Sequence, residues 1–145
     1  MVRLANKNDI DGVVELLMEY RGFYGVDKQD RDEAYHFLIE RMDNDESKVF
    51  IAIDGEEYVG FIQLYPSFSS VSLKRQWILN DLYVKKVFRN KGYGTALMTS
   101  VKEYFKDSAK GFVLLTGKDN HTAKKFYSGN GWETNIYDVY TFYYQ

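Results

Sequence analysis

The chain has 145 residues, a formal net charge of −2, 45% hydrophobic and 28% charged residues. That is the length of one domain with ample material for a core, which excludes a disordered or fibrous chain, and the near-neutral balance argues against a broad nucleic-acid-binding face. The absence of cysteine rules out disulfides, thiolate nucleophiles and cysteine metal sites, and His36 and His121 are far apart with no metal-ligand spacing, so no metal is expected.

Residues 2 to 5 read as a short first strand. From Asn8, a plausible N-cap, the residues Ile10, Val13, Val14, Leu17 and Met18 recur at helical spacing until Gly22 and Gly25 break the pattern. A second helix is expected from about Asp30, with Ala34, Phe37, Leu38 and Met42 on one face. Val49 to Ile53 is a β-prone run, Asp54-Gly55 a hairpin signal, and Tyr58 to Tyr65 the returning strand, which the single proline, Pro66, is expected to end. Trp77 to Val84 supplies the next strand, so the centre reads as an antiparallel meander.

After two glycines, Leu97, Met98, Val101, Tyr104 and Phe105 mark an amphipathic helix. Phe112 to Thr116 is a continuous apolar strand, expected to be covered on both faces and parallel to the strand before the helix, a βαβ unit. Asn120 to Ser128 predicts one more short helix, closed by Gly129 and Gly131, and the Tyr-rich tail from Trp132 to Tyr144 reads as one or two final strands. The fold class is α/β: a single domain over 1–145 with a mixed, mostly antiparallel central sheet, one βαβ unit and about four helices. The N-terminus has no apolar leader and no segment reaches membrane-span length, so a cytoplasmic protein without a membrane partner is expected.

The chemistry points to the turn between strand Trp77–Val84 and the following helix. Four of its seven residues from Lys85 to Lys91 are cationic, and Gly92 and Gly94 lead into the helix. Amides at a helix start have no intrahelical partner and sit at the positive end of its dipole, so a glycine-rich approach lets a phosphate reach them. A dinucleotide fingerprint would need a third glycine where Leu97 stands, and a P-loop would need Gly-Lys-Ser/Thr where the chain has Gly94-Thr95-Ala96.

The spacing Arg89-x-x-Gly92-x-Gly94 after Leu82-Tyr83-Val84 resembles the acetyl-CoA-binding signature of the GNAT superfamily of N-acetyltransferases. Asn120-x-x-Ala123-x-x-Phe126-Tyr127-x-x-x-Gly131-Trp132 resembles that family's later motif. The resemblance implies that acetyl-CoA is the co-substrate. Its pyrophosphate would be held by Arg89, Asn90, Lys91, Gly92, Tyr93, Gly94 and Thr95, and its pantetheine arm would lie along Leu82, Tyr83 and Val84, with the side chain of Asn120 bonding that arm. An N–H near Leu82 would polarise the thioester carbonyl.

By the same resemblance Tyr127 is the general acid for the departing thiolate. A phenol, with an ordinary pKa near ~10, carries that proton at neutral pH. Many relatives place a glutamate where this chain has Ile78 or Asn80, so Asp81 is the nearest candidate base, with a water relay as the alternative. Strand alternation points Asp81 away from Asn80's face unless a bulge intervenes. The implied activity is N-acetylation of a primary amine on a small molecule by direct attack in a ternary complex. A protein or aminoacyl-tRNA acceptor, or a non-catalytic acyl-CoA-binding module, is the alternative. A homodimer through Tyr137, Tyr140, Phe142, Tyr143 and Tyr144 is the expected assembly.

Overall fold

The β-prone runs at the centre of the chain pair as the expected meander. In the computed structural model, which describes residues 1–145, the strands are β1 (Val2–Leu4), β2 (Lys48–Asp54), β3 (Glu57–Ser69), β4 (Lys74–Val84) and β5 (Phe112–Val113). The helices are α1 (Ile10–Phe23), α2 (Arg31–Asp43), α3 (Tyr93–Phe105) and α4 (His121–Gly129). The sheet runs in chain order from β1 to β5, antiparallel up to β4, with β5 parallel to β4 and α3 crossing between them. Two compact units divide the chain: Met1–Leu114, with the whole sheet and α1 to α3, and Leu115–Gln145, with α4.

Alternation along β2 sends Val49, Ile51 and Ile53 to one face and Phe50 and Ala52 to the other. On the first face α1 and α2 bury Ile10, Val13, Val14, Leu17, Ala34 and Leu38 against that row and Phe61. On the second, α3 buries Leu97, Met98, Val101 and Phe105, with the Phe105 and Trp77 rings 4.7 Å apart.

Entry into α1 begins earlier than Asn8. A 3-10 turn over Lys7–Asp9 precedes the helix; the side chain of Asn6 accepts the Asn8 N–H at 2.8 Å, and the Asp9 carboxylate accepts the Asn6 N–H at 2.8 Å. This reciprocal capping satisfies donors that Asn8 itself would leave open. Asp9 is 2% exposed and also receives the Arg3 guanidinium at 2.7 and 2.8 Å and the Tyr58 hydroxyl at 2.7 Å, tying β1, the turn and β3 together. The Arg3 hydrogen bonds hold its carboxyl down to about 2. A folded value below the unfolded one contributes stability above the ordinary carboxylate range, and that contribution is lost as the pH falls through about 2. Asp9→Ala should cost about 3 kcal/mol at neutral pH by urea unfolding, because it strands a half-buried arginine and a tyrosine hydroxyl. A cost under about 1 kcal/mol would show the cluster to be a solvated ion pair.

Pro66 does not end its strand. It pairs with Trp77, whose own N–H is given to Gly111 on the β5 side at 3.1 Å, so the N and C=O of Pro66 point away from β4 toward the side β2 has left, since β2 stops at the Lys48–Leu64 pair. The missing donor faces no partner, which is where a strand tolerates proline. β5 is shorter than the apolar run suggests, and Val113 and Leu115 are exposed, against the expected coverage on both faces. The Tyr-rich tail forms no strand, and Tyr137, Tyr140 and Tyr144 are exposed. β propensity describes fit to a half-buried pleated surface, and without a ladder beside it the run stays irregular.

Candidate active site

A β-bulge decides where Asp81 goes. Leu79 pairs with Leu64 and Asp81 with Gln63, leaving Asn80 as the extra residue. The bulge exposes Asn80 and puts Asp81, 5% exposed, opposite Gln63 on the face covered by α1 and α2. Gln63 Nε2 donates to Asp81 Oδ2 at 2.7 Å, and Asn80 Nδ2 donates to Oδ1 at 3.1 Å. Burial pushes the Asp81 carboxyl up, and the hydrogen bonds from Gln63, Asn80 and Tyr20 pull it partly back. Burial also raises the phenols of Tyr20 and Tyr65, with the Asp81 charge adding to it. Tyr20 stands on α1 with its hydroxyl 3.4 Å from the Asn80 carbonyl and its ring edge-on to Tyr24 and Tyr83. One buried carboxylate walled by tyrosines is a setting that raises its affinity for a proton.

Beyond the bulge β4 has an open edge. β5 pairs only with Trp77 and Ile78, while β4 continues to Val84. The Lys85 N–H bonds back to Val59 of β3 at 2.8 Å, so alternation turns the N–H and C=O of Leu82 and Val84 to the opposite side, where β5 has ended. The Val84 carbonyl is met there by Arg89 Nε at 2.8 Å. The Leu82 N–H therefore faces an open strand edge.

The turn into α3 keeps its amides available. Gly92 has φ 89° and ψ 0° at the N-cap, no side chain caps the helix, and the first helical bond is Ala96 N–H to Gly92 C=O at 3.0 Å. The N–H groups of Tyr93, Gly94 and Thr95 precede that bond. A Cβ added at Gly92 would meet nothing within 4 Å, so the requirement for glycine there is conformational. The left-handed conformation strongly favours glycine there, and Asn90 also adopts it, with φ 62°. Together these features leave a helix start at which an anion can be received.

The basic residues of the turn have prior commitments. Lys85 lies 3.7 Å from Glu19 and 3.9 Å from Glu57, and the Arg89 guanidinium sits 5.5 Å from the Tyr83 ring and 6.0 Å from Phe23. Lys91 stands over Phe88 at 5.5 Å. Arg89 thus braces the turn against β4 through its Nε, in addition to its positive charge.

The first unit brings together Asp81, Leu82, Tyr83, Val84 and the Arg89–Thr95 turn. Asn120 and Tyr127 belong to the second unit. Asn120 caps α4, its Oδ1 accepting the Ala123 N–H at 3.2 Å. Tyr127 lies on α4 with its ring 5.7 Å from Trp132, and its carbonyl accepts the Trp132 N–H at 3.1 Å. The motif Asn120 to Trp132 is therefore one helix and its cap. Sequence reasoning missed Gln63; the signal was a lone amide inside the apolar run Val59 to Leu64, where a polar residue is the informative one.

Residues 10–132 match the model of the acetyltransferase (GNAT) family. The chain is 41% identical over 133 residues to an uncharacterized N-acetyltransferase, YhfO, of Bacillus subtilis (strain 168), covering 91% of this chain and 89% of that one. It is 33% identical over 101 residues to a probable acetyltransferase of Haemophilus influenzae, covering 69% and 68% of the two chains. A crystal structure of a probable acetyltransferase superposes with a TM-score of 0.92 at 34% identity, covering 100% of this chain and 98% of the other.

Proposed function

The chain belongs to the acetyltransferase (GNAT) family and is an N-acetyltransferase, and on that premise we propose that it acetylates a primary amine of a small molecule by direct attack in a ternary complex. The observation that carries this reading is the buried Asp81 placed by the bulge immediately before an open strand edge and an uncapped helix start. A base, a backbone donor for a carbonyl and a phosphate seat follow one another along a single stretch of chain.

Acetyl-CoA supplies an activated acyl group and a pyrophosphate handle. The amides of Tyr93, Gly94 and Thr95 bind the pyrophosphate, with Asn90, Lys91 and Gly92 shaping their approach. The Leu82 N–H donates to the thioester oxygen, where negative charge grows as the amine nitrogen adds to the carbonyl carbon. An alkyl ammonium, with a pKa near ~10.4, must first lose a proton, and Asp81 receives it. As the carbon–sulfur bond breaks, Tyr127 gives its phenolic proton to the sulfur and its phenolate recovers one from the surplus proton on the new amide nitrogen, while Asn120 bonds the pantetheine arm; these roles rest on the motif resemblance. A small amine is favoured over a tRNA-linked one because a net charge of −2 gives little overall attraction for a polyanionic acceptor. The exposed tail tyrosines support a homodimer in which they meet a second copy, in a cytoplasmic enzyme.

The test is ligand-induced thermal stabilisation. Acetyl-CoA at about 100 times its Kd should add roughly 2.7 kcal/mol, a shift of several degrees, with NADH and ATP giving none. Gly92→Val should lose most of that shift, because a β-branched residue is badly strained at φ 89°. An equal shift with ATP would reduce the turn to a general anion site. A panel of primary amines that releases no thiol from acetyl-CoA would remove the proposed acceptor class.

A further inference from the structure

We infer that Gln63 is a positioning residue for Asp81, whose side-chain amide keeps that carboxylate ionised and aimed; the inference rests on reading Asp81 as the base. Gln63 lies at the middle of β3, fully buried, directly across the ladder from Asp81 and beside the bulge. Toward β2 and back along β3 its neighbours on the same face of the sheet are apolar, Val49, Ile51 and Phe61. An amide in such a row is costly unless both its ends are used, and only one is. Nε2 donates to Asp81 Oδ2 at 2.7 Å, while Oε1 is buried without a partner. A leucine would fill the position more cheaply, so the amide is retained for what its nitrogen does.

What the nitrogen does follows from the charges around Asp81. From α1 the group facing it is Tyr20; from β3, Gln63 and Tyr65; from β4, Asn80. From α2 the charge of Arg41 acts on Tyr65 and is itself paired with Glu40 and Glu46. The carboxylate therefore relies on neutral N–H and O–H donors to offset its burial. Gln63 makes the shortest of these bonds, and donation to an ionised acceptor is the strong kind. Without it burial acts with less opposition, and Asp81 holds its proton to a higher pH.

Selective labelling of aspartate carboxyl carbons, with Asp81 assigned by its loss in Asp81→Asn, lets the Asp81 titration be followed directly by NMR without an acceptor. Gln63→Leu should raise its midpoint by about one pH unit or more, a tenfold change in proton affinity. Gln63→Glu, which keeps the shape, should raise it as well, because two adjacent carboxyls cannot both ionise. The Asp9 signal, remote from the change, should stay in place in both. With a responsive amine in hand, the acid limb of kcat/KM should move with the Asp81 midpoint. An Asp81 midpoint that stays put in a folded Gln63 variant overturns the inference, and loss of the fold in both variants would assign Gln63 to stability and overturn it too. Undiminished turnover in Asp81→Asn would instead refute the base while leaving the titration result standing.

Discussion

Asp81→Asn should lower kcat by roughly 10²- to 10⁴-fold, the scale of a positioned general base, with little change in the thermal shift given by acetyl-CoA. The two effects separate because the phosphate seat at Gly92 to Thr95 and the carboxylate behind the bulge are built by different residues. The acid limb of the kcat/KM profile should vanish with the carboxylate, since only its ionised form accepts a proton. Stability should respond in the opposite sense to that of Asp9. Asp81 is raised by burial, so its contribution to stability is fully present below the ordinary carboxylate value and is lost as the pH rises through its folded value. The parent protein should therefore show a loss of stability on crossing that window which the asparagine variant lacks. Turnover within about threefold of the parent, at saturating amine and acetyl-CoA, would transfer the deprotonation step to solvent.

Tyr127→Phe should keep acetyl-CoA binding and lower turnover by roughly 10²-fold or more. The substitution removes one oxygen and leaves the ring, so the packing against Trp132 and the fold of α4 should persist in circular dichroism. The loss should fall on kcat rather than KM, because the proton is needed only as the sulfur departs. Acceptors of different basicity should lose about the same factor, since the leaving group is common to all of them. Unchanged turnover at saturating substrates would take Tyr127 out of the mechanism, and a parallel loss of the thermal shift would make it a binding residue.

Much of the fold was legible because its signals are local. Ile10, Val13, Val14 and Leu17 at helical spacing, the Asp54-Gly55 turn, and the apolar helix between two strands each depend on residues close together in the chain, and α1, the β2–β3 hairpin and the β4–α3–β5 unit are where they were expected. The glycine turn before α3 was legible for the same reason: Gly92 is needed for its own backbone conformation, and the uncapped amides follow it directly. Pro66 misled because a missing donor matters only if a strand stands beside it, and β2 ends just before. The tail misled because a tyrosine-rich run needs an adjacent ladder to become a strand.

By itself the sequence determined the class of the sheet, the order of its main elements, the glycine turn before α3 and the family, all of which rest on spacing along the chain. Only the tertiary structure decided which way Asp81 faces. A one-residue bulge at Asn80 reverses the alternation that sequence counting relies on, and bulges are settled by how two strands register against their helices. The same pairing set Gln63 across from Asp81, a contact between residues eighteen positions apart that no local pattern encodes.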